Sequence, residues 1–461
     1  MGRVALHGLA TIALLAGAAP GQATPPPSSD RALALLKASI AFKTVEGMGQ
    51  VPVYAAYLAE QLRAGGFAPA DIVIDRMGET ATLTLGWRGS DPTLKPIVIS
   101  DHMDVVAADP KDWTRDPFTP VVENGYIYGR GSLDDKFDTS MVVTTLIDMR
   151  RAGYTPRRTI ILALSGDEET EMLTTQALAA KLKGAELVLN GDGGGGTLGE
   201  DGEPILFGLQ AGEKSYADFE ISFASPGGHS SRPGSDNAIY RLAKAIDRVA
   251  AYRFPVQSNE LTIATFKAGA RRTSGRLGAA MARFAADPKD ADAAATLSAE
   301  PEYVGQVRTT CVATMLSGGH ALNALPQKAT VSVNCRIFPG VTVEAVRARL
   351  VEVVADPTAR FTTLGRPTVS DASPLRPDVV AAVTKAVQLR APGLQVVPTM
   401  IAGATDSLYF RALGVPSYGV SSVFLKPSDD FAHGLNERAP IAAIPGALVQ
   451  WRSLLTDLSS R

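Results

Sequence analysis

Ile97-Val98-Ile99-Ser100-Asp101-His102-Met103-Asp104-Val105-Val106 passes from an unbroken apolar run to a histidine flanked by two aspartates. Such a run, closed by polar residues, reads as a strand buried on both faces, and in open parallel sheets ligands bind just beyond the carboxyl ends of such strands. His102 therefore falls where chemistry is usually done. A neutral imidazole binds zinc well when its second nitrogen donates to a carboxylate, and Asp104 is near enough in sequence to be that partner. Further on, Gly129-Arg130-Gly131-Ser132-Leu133-Asp134-Asp135-Lys136 sets Asp134 in a glycine-framed loop, where it can supply a harder ligand. A lone His-x-Asp usually means a surface turn. Here the pattern repeats along the chain.

The apolar run 159–164 stops at Ser165-Gly166-Asp167-Glu168-Glu169, and the run 187–189 stops at Asn190-Gly191-Asp192 before four glycines. With helical periodicity at 31–44, 52–63 and 137–150, and strands at 71–76 and 80–87, the chain predicts a doubly wound mixed α/β sheet. The texture changes near Glu213. Strand-like runs at 215–224, 309–316 and 329–337, a turn at 225–229 and helices at 237–252 and 343–354 fit a smaller four-stranded α+β module. Between its halves, 271–301 reads as a helical insertion. A helix at 377–389, strands at 394–398 and 415–420 and a last helix at 441–455 return the chain to the first unit. The expected organisation is a first unit over 30–212 and 371–461, interrupted by a smaller second unit over 213–370.

Residues 1–23 carry Arg3, an apolar segment over 9–19 and Gly21-Gln22-Ala23, the layout of a secretory signal peptide. The segment falls short of the roughly 20 apolar residues that span a bilayer. The expectation is an exported protein, periplasmic or secreted, with a short linker at 24–29 and no membrane anchor after cleavage. Hydrophobic content of 45%, charged content of 20% and a net charge of -2 describe an ordinary globular chain and give no sign of a nucleic-acid partner. Two cysteines, Cys311 and Cys335, exclude a disulfide framework and a zinc ribbon. They can pair with each other or remain buried thiols; an oxidising compartment favours the bond.

Two adjacent acids such as Glu168-Glu169 most often make a solvated turn. After an apolar strand, however, their side chains diverge, so that one can bind metal while the other faces a substrate. Metal hydrolases need that division, because a carboxylate outside the coordination shell takes the proton of the attacking water. A fourth site is Phe431-Ala432-His433-Gly434-Leu435-Asn436-Glu437-Arg438. Few histidines, set in turns and strand ends, fit working roles.

Taken with Trp113, Asp116-Pro117-Phe118 and Pro226-Gly227-Gly228-His229-Ser230-Ser231, these segments resemble the M20 family of metallopeptidases in order and spacing from about residue 30 to the C-terminus. The resemblance implies that the smaller unit over 213–370 is a lid and that the first unit is catalytic and holds two zinc ions, with cobalt or manganese able to substitute. His102 and Asp192 would hold one, Glu169 and His433 the other, and Asp134 would bridge them. Asp104 would orient His102 and Glu168 would be the general base. It also implies that His229 reaches a reaction centre to stabilise an oxyanion, often across a dimer interface formed by the lid. Arg336 would bind a substrate carboxylate, with Asn323, Thr405 and Asp406 as further substrate contacts.

The expected activity is hydrolysis of an amide bond in a small peptide, or in an N-acyl amino acid, with a free carboxylate. There is no Gly-x-Ser-x-Gly elbow and no His-Glu-x-x-His, and the glycine run after Asp192 lacks the continuation of a P-loop. The alternative from another class is a non-catalytic metal-dependent binding protein, which the presence of Glu168 argues against.

Overall fold

The computed structural model describes residues 28–460; the expected signal segment, most of the linker and residue 461 lie outside the described residues. The chain forms a ten-stranded mixed sheet and a separate four-stranded sheet. At the centre of the large sheet, Ile97–His102 lies between Ile160–Ser165 and Leu187–Asn190, parallel to both, and Ser417–Gly419 continues the parallel set. Thr80–Trp87 closes one side of this set antiparallel. Side chains alternate across a strand, so a run with no polar residue must be covered on both faces. Ile97 and Ile99 enter one core with Phe137, Leu146 and Trp451, while Val98 enters the core on the opposite face with Leu178 and Phe410. The helices Lys136–Arg151 and Ala443–Ser459 thus cover one face, and Leu173–Leu182 and Ser407–Ala412 the other.

In the small sheet the order is Thr310–Gly318, Lys328–Ile337, Ser215–Ala224, Arg360–Leu364, antiparallel throughout. The helices Ala238–Ala251 and Val343–Val354 bury one face against Phe219, Ile221, Val331 and Val333. The turn expected at 225–229 contains Gly228–His229, which pairs with Ala324–Leu325 as a two-residue ribbon. The helical insertion, expected at 271–301, begins earlier, with helices from Glu260 to Val304, and has its own core of Phe266, Met281, Phe284 and Leu297. Its position was not legible from composition: Gln306 donates to the Met400 carbonyl at 2.8 Å and Thr265 to that of Pro398, which docks the insertion on the strand Val396–Ile401. Among the described residues no helix is long and apolar enough to cross a membrane.

Cys311 and Cys335 sit directly opposite on neighbouring strands and are disulfide-bonded. The bond ties the edge strand Thr310–Gly318 to its neighbour one residue before Arg336. Closing a loop of this length is worth about 3 kcal/mol by the chain-entropy argument. Reduction should lower the denaturant midpoint accordingly, measured on matched reduced and oxidised samples; identical midpoints would show that the bond adds nothing.

Candidate metal centre

Each expected ligand arrives on a different element, and each arrives at the same end of the parallel strands. His102 ends the strand Ile97–His102, Glu168 and Glu169 follow Ile160–Ser165, and Asp192 follows Leu187–Asn190. Asp134 precedes the helix Lys136–Arg151, next to the cis peptide Asp134–Asp135. His433 comes from the far end of the chain, delivered by Arg438–Pro440 as it pairs with Tyr126–Tyr128.

Asp134 lies between the two imidazoles. His102 Nε2 is 2.8 Å from one of its oxygens and His433 Nε2 3.1 Å from the other, while His433 Nε2 also stands 2.9 Å from Glu169 Oε1. Ligand atoms of His102, Asp134 and Glu169 lie within 4.8 Å of one another, as do those of His102, Glu168 and Asp192. The Glu168 carboxylate makes no hydrogen bond or ion pair with any described residue, in contrast to that of Glu169. Asp134 thus contacts both imidazoles, one with each carboxylate oxygen.

The role of Asp104 differs from the expectation. His102 Nδ1 faces the Asp104 backbone carbonyl at 3.0 Å, and the carboxylate stands farther off at 3.6 Å. That carboxylate accepts instead from the backbone N–H groups of Glu168, at 3.1 Å, and Glu169, at 3.0 Å. Asp104 thus orients His102 through its main chain and pins the Glu168-Glu169 turn through its side chain. Asn190 does similar work one strand over, accepting from the Asp192 N–H at 2.6 Å. Gly191 is needed because any Cβ there would collide with the Asp101 carboxylate, and Gly194 because its φ of +76° and two neighbouring carbonyls leave no room for a side chain. The glycine run is a packing device between strands.

The donor set calls for a cation. With Nδ1–H given to a carbonyl, the His102 Nε2 lone pair would face the Asp134 carboxylate at hydrogen-bond distance, which requires a proton or a metal between them. Burial opposes charge on His102, yet the Asp104 and Asp134 carboxylates carry its pKa well above the ordinary histidine value. His433 is raised to about 10 by its bonds to Asp134 and Glu169. Burial lifts Glu168 and Asp192 well above the usual carboxylate range, each lifted further by neighbouring acids. Burial acts the same way on Asp134, but the two imidazoles hold it below that range. The nearby basic groups are engaged elsewhere: Lys136 Nζ donates to the Phe42 carbonyl at 2.8 Å, and Arg130 pairs with Glu437 at 2.6 Å. Imidazole and carboxylate donors without a compensating side-chain cation suit zinc.

The residues expected at the substrate divide into three groups. Thr405 and Asp406 are each 2% exposed. The Thr405 hydroxyl donates to Glu213 at 2.8 Å, and Asp406 accepts from Ser165 at 2.7 Å and Thr175 at 2.5 Å. Both side chains face inward and hold the loop in place, in contrast to the expected substrate contact. Arg336 lies on the small sheet and reaches across to the Ala402 carbonyl at 3.4 Å, its guanidinium 5.6 Å from the Tyr216 ring centre. His229 and Asn323 share the exposed ribbon, where the Ser230 N–H donates to the Asn323 carbonyl at 3.0 Å. No bond among the described residues links that ribbon to the His102 cluster.

Glu437, four residues beyond His433, has a structural part that its motif does not announce. Its fully buried carboxylate accepts from the N–H groups of Gly131, Leu133 and Asp134 as well as from Arg130, and so shapes the loop that carries Asp134.

The sequence profile described as Peptidase family M20/M25/M40 matches residues 98–457. The human N-fatty-acyl-amino acid synthase/hydrolase PM20D1 is 28% identical over 371 residues, covering 77% of this chain and 72% of that protein. In fold, the chain is similar to an M20 family metallo-carboxypeptidase, Sso-CP2 from Sulfolobus solfataricus, with a TM-score of 0.69 at 18% identity over 93% of this chain and 99% of that one. It is also similar to the Bacillus subtilis YXEP protein, a dinuclear metal binding peptidase, with a TM-score of 0.59 at 13% identity over 94% of this chain and 98% of that one. The profile match spans most of the chain and includes every candidate ligand, so the protein belongs to peptidase family M20/M25/M40 and is a hydrolase of amide bonds.

Proposed function

We propose that this protein is a two-zinc hydrolase that cleaves the amide bond of an N-acyl amino acid or small peptide with a free carboxylate. The observation that carries the reading is the free Glu168 carboxylate beside His102 and Asp192, next to a Glu169 already committed to His433. His102 and Asp192 would hold one ion, Glu169 and His433 the other, with Asp134 shared; the dinuclear Bacillus protein of the same fold supports that count. When bound, the metal pair supplies Lewis acidity to the scissile carbonyl and acidifies water. Glu168 takes the proton of the attacking water and returns it to the departing amine nitrogen. Arg336 holds the substrate carboxylate, and the loop fixed by Thr405 and Asp406 forms the floor between them. Similarity to the N-fatty-acyl-amino acid synthase/hydrolase PM20D1 supports N-acyl amino acids as substrates, and similarity to the metallo-carboxypeptidase Sso-CP2 supports peptides. A panel of both, with released amines measured before and after chelation and after zinc is restored, tests the reading. Undiminished hydrolysis in fully metal-free protein would overturn it.

Export rests on the signal-like segment 1–23, and analysis of the mature N-terminus in the native host checks it. The lid is the surface we assign to a second copy of the chain. Its edge strand Thr310–Gly318 exposes Val312, Met315 and Leu316 at 60%, 72% and 68%. An unpaired apolar edge of this kind is normally covered. His229 and Asn323 on the nearby ribbon would then serve the reaction centre of the other copy. Sedimentation should show a dimer that Leu316→Lys converts to a monomer; a wild-type monomer at all concentrations would exclude the assignment.

A further inference from the structure

A cavity of about 400 Å³ lies between the two sheets, within the size range of small-molecule sites. One wall starts at Thr170, next to Glu169, and runs through Leu173 to Tyr409; the other comes from the small sheet with Tyr216 and Leu364. Ala404 closes the floor, two residues beyond the carbonyl that Arg336 reaches. Leu173, Tyr216 and Leu364 remain 52%, 44% and 40% exposed, so the walls present apolar surface that no described residue covers. Among the polar groups of the cavity, Asp218 accepts from Asn334 at 2.8 Å and the Tyr409 hydroxyl accepts from Gln176 at 3.4 Å, while the exposed Glu171 and Arg366 also line it.

Tyr216 joins this cavity to the carboxylate anchor. It is paired with Arg336 on the adjacent strand, and the guanidinium stands against its ring. In an α-amino acid the carboxylate and the side chain leave the same carbon. A carboxylate held at Arg336, with the amide at the metal centre, therefore directs the side chain of the amine half into a hollow beside that anchor, and this cavity adjoins it through Tyr216. We propose that this cavity selects the amine half of the substrate and takes a bulky aromatic or branched aliphatic side chain between Tyr216, Leu364 and Tyr409. The assignment rests on the amide-hydrolase reading and on Arg336 as the carboxylate anchor, and it concerns the amino acid rather than the acyl group.

The experiment holds the acyl group at acetyl and varies the amino acid through glycine, alanine, leucine, phenylalanine and aspartate. The expected result is a kcat/KM for N-acetylphenylalanine or N-acetylleucine at least about ten-fold above that for N-acetylglycine, the scale on which apolar pockets discriminate. In Leu364→Ala, an exposed position on an edge strand, and in Tyr409→Ala, the ratio of phenylalanine to glycine substrate should fall about ten-fold, while Tyr409→Phe restores it. A general loss of fold lowers both substrates alike and leaves the ratio intact, which would count against the pocket. A preference for glycine or aspartate, or variants that shift acyl-length preference instead, overturns the proposal. Binding of free phenylalanine and glycine to the metal-loaded protein separates the two readings. If no amide is cleaved but phenylalanine binds more tightly and Leu364→Ala removes the difference, the pocket stands and the reaction assignment fails. Equal binding of the two amino acids sinks the pocket.

Discussion

Glu168→Gln should lower kcat by about 100-fold or more while leaving metal content and thermal midpoint near those of the unaltered protein, the scale expected when a general base is removed. The backbone at this position is held by Asp104, which accepts from its N–H at 3.1 Å, and that bond survives any change of side chain. The carboxylate itself bonds to no described residue, so its replacement by an isosteric amide breaks no internal contact. Glu169→Gln should behave in the opposite order. Its carboxylate is bonded to His433 Nε2, and its loss should lower metal content first and activity as a consequence. Metal analysis of both purified variants beside their kinetics distinguishes the two. The Glu168 carboxylate also groups with His102 and Asp192 at ligand spacing. If Glu168→Gln loses metal together with activity, Glu168 is a ligand and the base lies elsewhere.

What could be read from the sequence follows from how local each cause is. Apolar runs ending at His102, Glu168-Glu169 and Asp192 predict buried parallel strands because alternation alone requires both faces of such runs to be covered, and the sheet places their ends side by side. Three strands of the smaller module were legible as strand-like runs, of which two bury alternate residues, while the fourth, Arg360–Leu364, was not located and Cys311 and Cys335 stayed open between a bond and buried thiols. Side-chain assignments resting on nearness in sequence fared less well. Asp104 lies two residues from His102, but at a strand exit its carboxylate turns toward the next strand's N–H groups. Thr405 and Asp406 look like loop residues, yet they sit where Glu213, Ser165 and Thr175 converge, and those partners are 192, 241 and 231 residues distant. The inter-sheet cavity has no signal at all, since its walls come from four separated segments that are individually unremarkable turns and strand ends.

Glu437→Ala should cost about 3 to 5 kcal/mol of folding stability and weaken metal binding at a distance from every ligand atom. Arg130 and Glu437 are almost wholly buried, with side-chain exposures of 4% and 0%, and pair at 2.6 Å. Removing one member of such a pair strands the other charge without solvent, which is where the magnitude comes from. Burial pushes the Glu437 carboxyl upward, and the Leu133 N–H and Arg130 oppose it, so the site depends on those bonds to keep the group ionised. The alanine also leaves the N–H groups of Gly131, Leu133 and Asp134 without their acceptor, which loosens the turn that aims Asp134 between His102 and His433. Against a typical total stability of about 5–15 kcal/mol, the loss takes a large part of the margin. Glu437→Gln keeps an acceptor for the N–H groups and should fall between the two. The double variant Arg130→Met with Glu437→Leu removes both charges and should recover stability relative to Glu437→Ala, because the stranded cation is gone, without recovering metal affinity. Denaturant midpoints and zinc titrations of the three variants decide the matter. Unaltered stability and zinc affinity in Glu437→Ala would mean that the loop holds Asp134 without the buried pair.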